Sequence, residues 1–260
     1  MSDSDREMAF LDSVVPTYVT SENHQDRLIR TLAMRTFAPH MRPDGQALEF
    51  GCSDGFMTRM IAEHVKRLTV VDGSKKFIDT AKRDAPVNVD FVHSLFEDFD
   101  PDERYDYVFA TWVLEHVRNA VGFLHSASRL LTDDGLLFVV VPNARALSRQ
   151  LARHMGLLDD LFALTPNDVN HGHRRVYDRV LLDRALESAG VLQIGQGGLL
   201  LKLLADFQMD ELIKSGVLGE SQLEGLYKMG LEYPDFAGSL FSICRRPSAQ
   251  APVPASTPSP

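Results

Sequence analysis

"LEFGCSDGFMTRM", residues 48–60, places small residues at alternate positions, Gly51, Ser53 and Gly55, with the acid Glu49 just ahead of them. A tight turn needs only one glycine. Three small residues in alternation point to a backbone against which something has to lie. Residues 47–50 read as a short buried strand and 56–65 as a helix, so this turn closes a strand at its carboxyl end.

The same alternation continues outward from that turn. Strands are expected over 67–72, 89–94, 105–113 and 136–142, with helices over 74–84 and around 119–131. Apolar strands alternating with amphipathic helices make a parallel sheet covered on both faces. In such sheets ligands bind at the carboxyl ends of the strands, where strand order reverses. Upstream, Leu28, Ile29, Leu32, Ala33 and Phe37 recur at helical spacing within 24–41, and the turn 42–45 (RPDG) ends that helix. Residues 1–23 are polar and read as partly helical.

After Pro142 the pattern changes. Residues 145–164 read as a helix that interrupts the alternation, and 207–230 as a second, mainly helical insert. Between them 179–190 reads as a helix with Asp178 as N-cap and Gly190 as its stop. The stretches 197–204 and 238–246 read as the last two strands. The tail, 247–260, is rich in Pro, Ser and Ala and is expected to be disordered.

Composition narrows the function. At 260 residues the chain fits one large domain with a modest cap. A net charge of −9 argues against a surface that holds nucleic-acid phosphates. Cys52 and Cys244 are too few for a disulfide framework and lack metal-ligand spacing, so they read as free thiols in a reducing compartment. The N-terminus has no signal-peptide pattern, and the longest apolar run, 136–142, is far short of a membrane span. A cytoplasmic protein with no membrane and no nucleic-acid partner is expected.

A dinucleotide would require G-x-G-x-x-G, but the register here gives Gly51, Ser53 and Phe56. A Walker loop fails for want of Gly-Lys-Ser/Thr. Glu49 is a poor neighbour for pyrophosphate and a good one for an amine or a cation. Asp72 ends the second predicted strand, where an acid ordinarily takes ribose hydroxyls. A ligand with a ribose and a positive group but no phosphate matches S-adenosyl-L-methionine. The small residues and Asp72 also admit plainer roles, close helix–strand packing and the capping of the helix near Lys75.

At these residues the chain resembles the class I S-adenosylmethionine-dependent methyltransferases, of the type that includes quinone-biosynthesis and small-metabolite enzymes. The resemblance covers roughly 45–145 and continues more weakly to about 245. It rests on EFGCSDG (49–55), VVDGS (70–74), HSLFEDF (93–99), FATWVLEHV (109–117) and LLTDDGLLFVVVPN (130–143), in that order. It implies an α/β fold, a Rossmann-like, doubly wound, mostly parallel seven-stranded sheet with helices on both faces and a helical cap. The cofactor contacts it implies are Glu49, Gly51, Ser53 and Gly55 in the turn and Asp72 and Gly73 at the second strand end. Ser94, Leu95 and Phe96 would face the adenine, and Thr111 and Trp112 would close the fourth strand. Ser53 replaces the family's middle glycine, and the acid usual one residue past the third strand is absent. The implied organisation is an N-terminal helical segment 1–41, a binding domain 42–246 with inserts near 145–164 and 207–230, and the tail.

Methyl transfer from a sulfonium mainly requires alignment, worth on the order of 7–11 kcal/mol. A hydroxyl or protonated amine must also lose a proton, for which histidine is suited. His116 follows the fourth strand and is one candidate base; a structural cap is its plainer role. The loop 170–178 supplies His173 as a second candidate, with His171, Arg175 and Tyr177 as a substrate clamp; a solvated capping loop is the plainer role there. No third ligand accompanies His171 and His173 in sequence, so no metal is expected. Tyr18, His24, Arg27 and Arg30 lie where related enzymes fold a helix over the cofactor, and Arg27 or Arg30 is a candidate for the methionyl carboxylate. The inserts offer a lid, packing surface or a homodimer contact. The expected activity is methylation of oxygen, less readily nitrogen, on a small-molecule acceptor, leaving S-adenosyl-L-homocysteine. The alternatives are a carboxylate or peptide methyltransferase and a non-catalytic cofactor-binding module; RNA is disfavoured by the acidic charge.

Overall fold

The strands are β1 (Gln46–Phe50), β2 (Arg67–Asp72), β3 (Val89–His93), β4 (Tyr105–Thr111), β5 (Leu131–Pro142), β6 (Leu192–Leu199) and β7 (Ser239–Arg245). In the computed structural model, which describes residues 3–19 and 24–247, they form one sheet in the order β3-β2-β1-β4-β5-β7-β6. The first five run parallel, and β7 is antiparallel to both of its neighbours. The expected doubly wound sheet is therefore present, with β7 as its reversed strand. The chain runs outward from β1 through β2 to β3, then returns to β4 on the other side. Strand order reverses between β1 and β4, and the crevice opens at their carboxyl ends.

Ten α-helices are described: α1 (Asp3–Val19), α2 (His24–Phe37), α3 (Phe56–Ala62), α4 (Lys75–Ala81), α5 (Ala120–Arg129), α6 (Leu147–His154), α7 (Pro166–Asn170), α8 (Arg179–Ser188), α9 (Asp206–Lys214) and α10 (Glu220–Glu232). Two apolar clusters sandwich the sheet. One includes Ile29, Leu32 and Phe37 of α2 with Ile61 of α3 and Phe138 of β5; the other includes Leu124 of α5 and Leu182 of α8 with Leu48 and Val108. Strands buried on both faces have no use for polar alternation, which is why 107–110 and 136–141 read as continuous apolar runs. Phe37 stacks on Phe138 with ring centroids 4.6 Å apart, so α2 packs directly on the sheet.

Several expected boundaries move. The helix expected over 145–164 is confined to Leu147–His154, because Gly156 takes φ +72° and the chain turns away. The strand expected over 197–204 starts earlier, at Leu192, and ends at Leu199, where Leu200 adopts φ +55° and breaks the extended run. The insert 207–230 resolves into α9 and α10. Asp178 caps α8 by accepting from Leu181 N, and Gly190 ends it at φ +71°, as the sequence implied. The disorder expected for the tail falls on 248–260, outside the described residues.

Candidate active site

The turn after β1 is left-handed three times: Gly51 has φ +80°, Ser53 +46° and Gly55 +76°. Gly55 is glycine for two reasons. A Cβ there would meet Ala81 Cα at 2.9 Å, and an L side chain at that φ is strained. Ser53 accepts the left-handed geometry that the family's middle glycine would take without cost. Gly51 N donates to Val71 O at 2.8 Å, which fastens the turn to β2.

Asp72, at the end of β2, is buried. Its Oδ2 accepts from Cys52 N at 2.9 Å and its Oδ1 from Ser74 N at 2.7 Å. Burial raises its pKa, and those two N–H donors oppose the rise. The capping role open to Asp72 falls to Ser74, whose Oγ accepts from Phe77 N at the start of α4. Gly73 lies against Leu11 of α1; a Cβ would come within 2.6 Å of its Cδ1 and 3.0 Å of Leu95 Cδ2.

Glu49 is fully buried. Its Oε2 accepts from Thr58 Oγ1 at 2.6 Å, while Oε1 has no hydrogen-bond partner. Burial pushes its carboxyl up to about 8, against the pull of the Thr58 hydroxyl and the Arg30 guanidinium. A buried carboxylate oxygen left without a donor costs about 1–3 kcal/mol or more, and a ligand ammonium would remove that cost. Arg30 is held 2.9 Å from both Asp26 and Asp54, whereas Arg27 lies over the Phe56 ring. On the far wall, Leu95 is buried and Phe96 packs on Phe50 and Phe123. Ser94 donates its hydroxyl to Leu95 O. Thr111 is buried, and Trp112 turns the chain at φ +54° while Nε1 donates to Ser239 Oγ at 3.2 Å.

The loop after β4 and the loop after α7 meet above this floor. The rings of His116 and His173 lie edge to face, centroids 4.8 Å apart. Potential ligand atoms of Glu115, His116 and His173 all lie within 4.8 Å of one another. The histidine grouping thus differs from the sequence expectation, which paired His171 with His173: those rings are 6.3 Å apart. Asp168 fixes His173, with Oδ1 3.1 Å from Nδ1. Burial would raise the Asp168 carboxyl, yet contacts from His173, Thr165 and Arg149 hold it far below the usual range. Burial, with His173 beside it, pushes His116 down to about 3, so its imidazole is neutral. Glu115 is fully buried with Oε2 unpartnered; burial raises it to about 7 despite His173 and Arg175 nearby.

Three residues expected to clamp a substrate are engaged with the protein. Arg175 donates to the carbonyls of Leu114, Val117 and Arg118, and the buried Tyr177 hydroxyl lies 3.5 Å from Leu114 O. They brace the loop after β4. His171 Nδ1 lies 2.8 Å from Asn167 O. Two residues at this site escaped sequence reading as participants, Glu115 and Asp168. Asp168 left a signal: Thr165 and Asp168 are the two ends of a capping box on α7.

Helix α1 lies across the crevice. Tyr18 packs edge-on to Phe77 and His171, and its hydroxyl donates to His171 O at 3.0 Å while lying 3.4 Å from His116 Nε2. Asp12 accepts from Ser74 Oγ at 2.6 Å. The cavity left between α1, Gly73, Leu95, Phe96 and His116 has a volume of about 40 Å³.

This architecture agrees with what the chain matches among known proteins. A family model described as a methyltransferase domain matches residues 21–191. The chain belongs to that family. The expected resemblance to class I S-adenosylmethionine-dependent methyltransferases is borne out by this match together with the sheet order. Among curated relatives, an (S)-tetrahydroprotoberberine N-methyltransferase of Eschscholzia californica is 34% identical over 37% of this chain and 29% of its own length. A ubiquinone biosynthesis O-methyltransferase of Bradyrhizobium diazoefficiens is 30% identical over 48% of this chain and 52% of its own. Nodulation protein S of Rhizobium tropici is 32% identical over 47% and 52%. The chain spans about half the length, or less, of these relatives. Among solved structures, the N-methyltransferase NodS of Bradyrhizobium japonicum in complex with S-adenosyl-L-homocysteine superposes with a TM-score of 0.56 at 16% identity, covering 94% of this chain and 96% of that one. A S-adenosylmethionine-dependent methyltransferase of Leishmania major gives 0.61 at 14% identity over 93% and 82%. At these identities they share the fold. Among the described residues no helix is long and apolar enough to cross a membrane.

Proposed function

We propose that this methyltransferase-family chain binds S-adenosyl-L-methionine in the crevice between β1 and β4 and methylates an oxygen of a small-molecule acceptor. The observation that carries the cofactor assignment is Glu49: a fully buried carboxylate with one oxygen unpartnered, beside a left-handed turn and a strand-end aspartate. Residues of that kind fit an ammonium, a methionyl backbone and a ribose. Glu49 would take the ammonium, Gly51 and Ser53 would admit the aminoacyl chain, and Asp72 would accept from the ribose hydroxyls. Gly73, Leu95 and Phe96 would flank the adenine, with Thr111 and Trp112 at the sulfur end. When bound, the cofactor supplies an electrophilic methyl group already attached to a good leaving group.

The chain's own residues then have two tasks, alignment and removal of a proton. His116 is neutral, and a hydroxyl already lies 3.4 Å from its Nε2, that of Tyr18. An acceptor hydroxyl taking Tyr18's place would be oriented by the same nitrogen. A group titrating near 3 is a weak final proton acceptor, since general bases work best near the operating pH. His173, held at Nδ1 by the ionised Asp168, is better placed to receive the proton, as in other carboxylate-oriented imidazoles. Oxygen is preferred over nitrogen because both imidazoles lie together at the strand end, where an alcohol needs a base and a neutral amine does not.

The test is calorimetry with S-adenosyl-L-homocysteine, followed by turnover on matched alcohol, amine and carboxylate acceptors. Binding together with an alcohol rate that falls about 10²-fold or more in His173→Ala supports the reading. Turnover of amines or carboxylates alone, unaffected by His116→Ala and His173→Ala, would replace it. Binding without turnover of any acceptor would favour a non-catalytic module.

A further inference from the structure

Resting on the proposed function, a second site can be read from an ion triad at the crevice mouth. Glu7 of α1 has only 13% of its side chain exposed, and its two oxygens go to two different arginines. Oε2 lies 2.5 Å from Arg118 Nη2, and Oε1 lies 2.6 Å from Arg174 Nη2. The two cations come from distant parts of the chain, one from the loop after β4 and one from the loop after α7. Glu7 and Arg118 line the small cavity that also holds His116 and Val117, and Arg174 reaches Glu7 beside it.

We propose that Arg118 and Arg174 form a carboxylate-binding subsite for the methyl acceptor, which the Glu7 carboxylate fills in this structure as an internal stand-in. Three features support it. Arg174 is preorganised: its Nε donates to His116 O at 2.7 Å and its backbone N to Glu115 O at 2.7 Å. Its guanidinium also sits over the Phe10 ring, 5.5 Å from the centroid, so little rotamer entropy is left to lose. The neighbouring Arg175 spends its guanidinium on backbone carbonyls, so the two arginines differ in kind. Finally, the triad carries two positive charges against one negative, in a chain whose net charge is −9.

Such a local excess attracts an anion and guides its approach. The Arg118 side chain is half exposed, so solvent screens its pair with Glu7 and one carboxylate can be exchanged for another at modest cost. Because Arg174 is tied to the carbonyl of His116 itself, the carboxylate and the hydroxyl to be methylated would sit within one small molecule. The acceptor class is therefore a small hydroxy carboxylic acid.

The experiment is equilibrium binding of benzoate to the full chain, with phenol as the uncharged counterpart and phenyl phosphate as the alternative anion, with and without saturating S-adenosyl-L-homocysteine. Benzoate should bind at least about tenfold tighter than phenol. Glu7→Gln should tighten benzoate several-fold and leave phenol unchanged. Arg118→Gln, at an exposed position, should remove the preference while cofactor affinity stays constant. Equal binding of benzoate and phenol in both wild type and Glu7→Gln overturns the site, as does a preference that survives Arg118→Gln. A preference for phenyl phosphate over benzoate overturns the carboxylate assignment. Absence of heat from S-adenosyl-L-homocysteine alongside an intact benzoate preference would count against the cofactor reading and not against this site.

Discussion

The two walls of the crevice are made in different ways. The wall at β1 and β2 is local: residues 49–55 and 72–74 form it through backbone geometry, left-handed φ values and N–H donors aimed at one carboxylate. The opposite wall is assembled from afar. His116 meets His173, Arg118 meets Glu7 and Asp168 meets Arg149, from segments 19 to 111 residues apart for the bonded pairs. The first wall has few ways to vary, and the second is a set of side chains that different acceptors can reshape. On the proposed function, the first wall would be a fixed cofactor site and the second an adaptable acceptor site, a division that lets one fold serve several substrates.

That contrast is most exposed at Asp72. Asp72→Ala should weaken S-adenosyl-L-homocysteine binding about 100-fold by calorimetry, because hydrogen bonds to a charged group are each worth about 1.5–3 kcal/mol. An unchanged affinity would mean the ribose lies elsewhere. Gly55→Ala comes next. The Cβ has no room beside Ala81, and the left-handed φ adds strain, so the unfolding free energy should drop by about 2 kcal/mol or more in denaturant titration. His171→Ala, on the assembled wall, should cost far less.

The buried carboxylates give the contrast a pH signature. Glu49 and Glu115 have folded-state pKa values raised to about 8 and about 7 from an ordinary 4.5. Between 4.5 and those values the folded state holds protons that the unfolded chain has released. Their contribution is thus fully favourable below about pH 4.5 and is lost as pH rises, at about 1.4 kcal/mol per pH unit per carboxylate, levelling off above about 8. The thermal midpoint of the ligand-free protein should fall across that window. Cofactor binding should run the opposite way. A ligand ammonium stabilises the ionised Glu49, so S-adenosyl-L-homocysteine should bind more tightly as pH approaches 8. Glu49→Gln should flatten that trend while leaving the Glu115 share of the stability slope. Parallel trends in stability and affinity would remove Glu49 from the ammonium site.

The difference between the walls also explains what could be read in advance. The turn 49–55, Asp72 and the parallel strands announce themselves because each depends on near neighbours: a left-handed φ needs glycine or a tolerant residue, and a doubly buried strand needs an apolar run. Asp178 and Gly190 were legible for the same reason. Asp168 was half legible, as one end of a capping box, but its hydrogen bond to His173 was not. Glu7 carried no signal at all, because nothing in its surroundings differs from those of a solvated helix residue. Arg175 is different again: a loop arginine beside histidines reads as a clamp, and the fold adds that its guanidinium donates to three carbonyls.

The smallest expected effect concerns α1, which joins the two walls by lying over both. Tyr18→Phe removes a hydroxyl that donates to His171 O and lies beside His116 Nε2, while keeping the ring against Phe77. The loss should cost about 1 kcal/mol of helix docking, seen as a slightly lower thermal midpoint of the free protein. Glu7 and Leu11 of α1 wall a cavity of about 40 Å³ beside Gly73 and Leu95, and the expectation is that docking of α1 competes with the cofactor. Weakening the docked state by that amount raises the binding-competent fraction, and the apparent affinity for S-adenosyl-L-homocysteine should improve up to about fivefold. Should Tyr18→Phe instead bind the ligand more weakly, the helix would be a cover that closes on the occupied site rather than a plug that leaves it. The sign of one small change in affinity therefore decides whether α1 opposes the fixed wall or completes it.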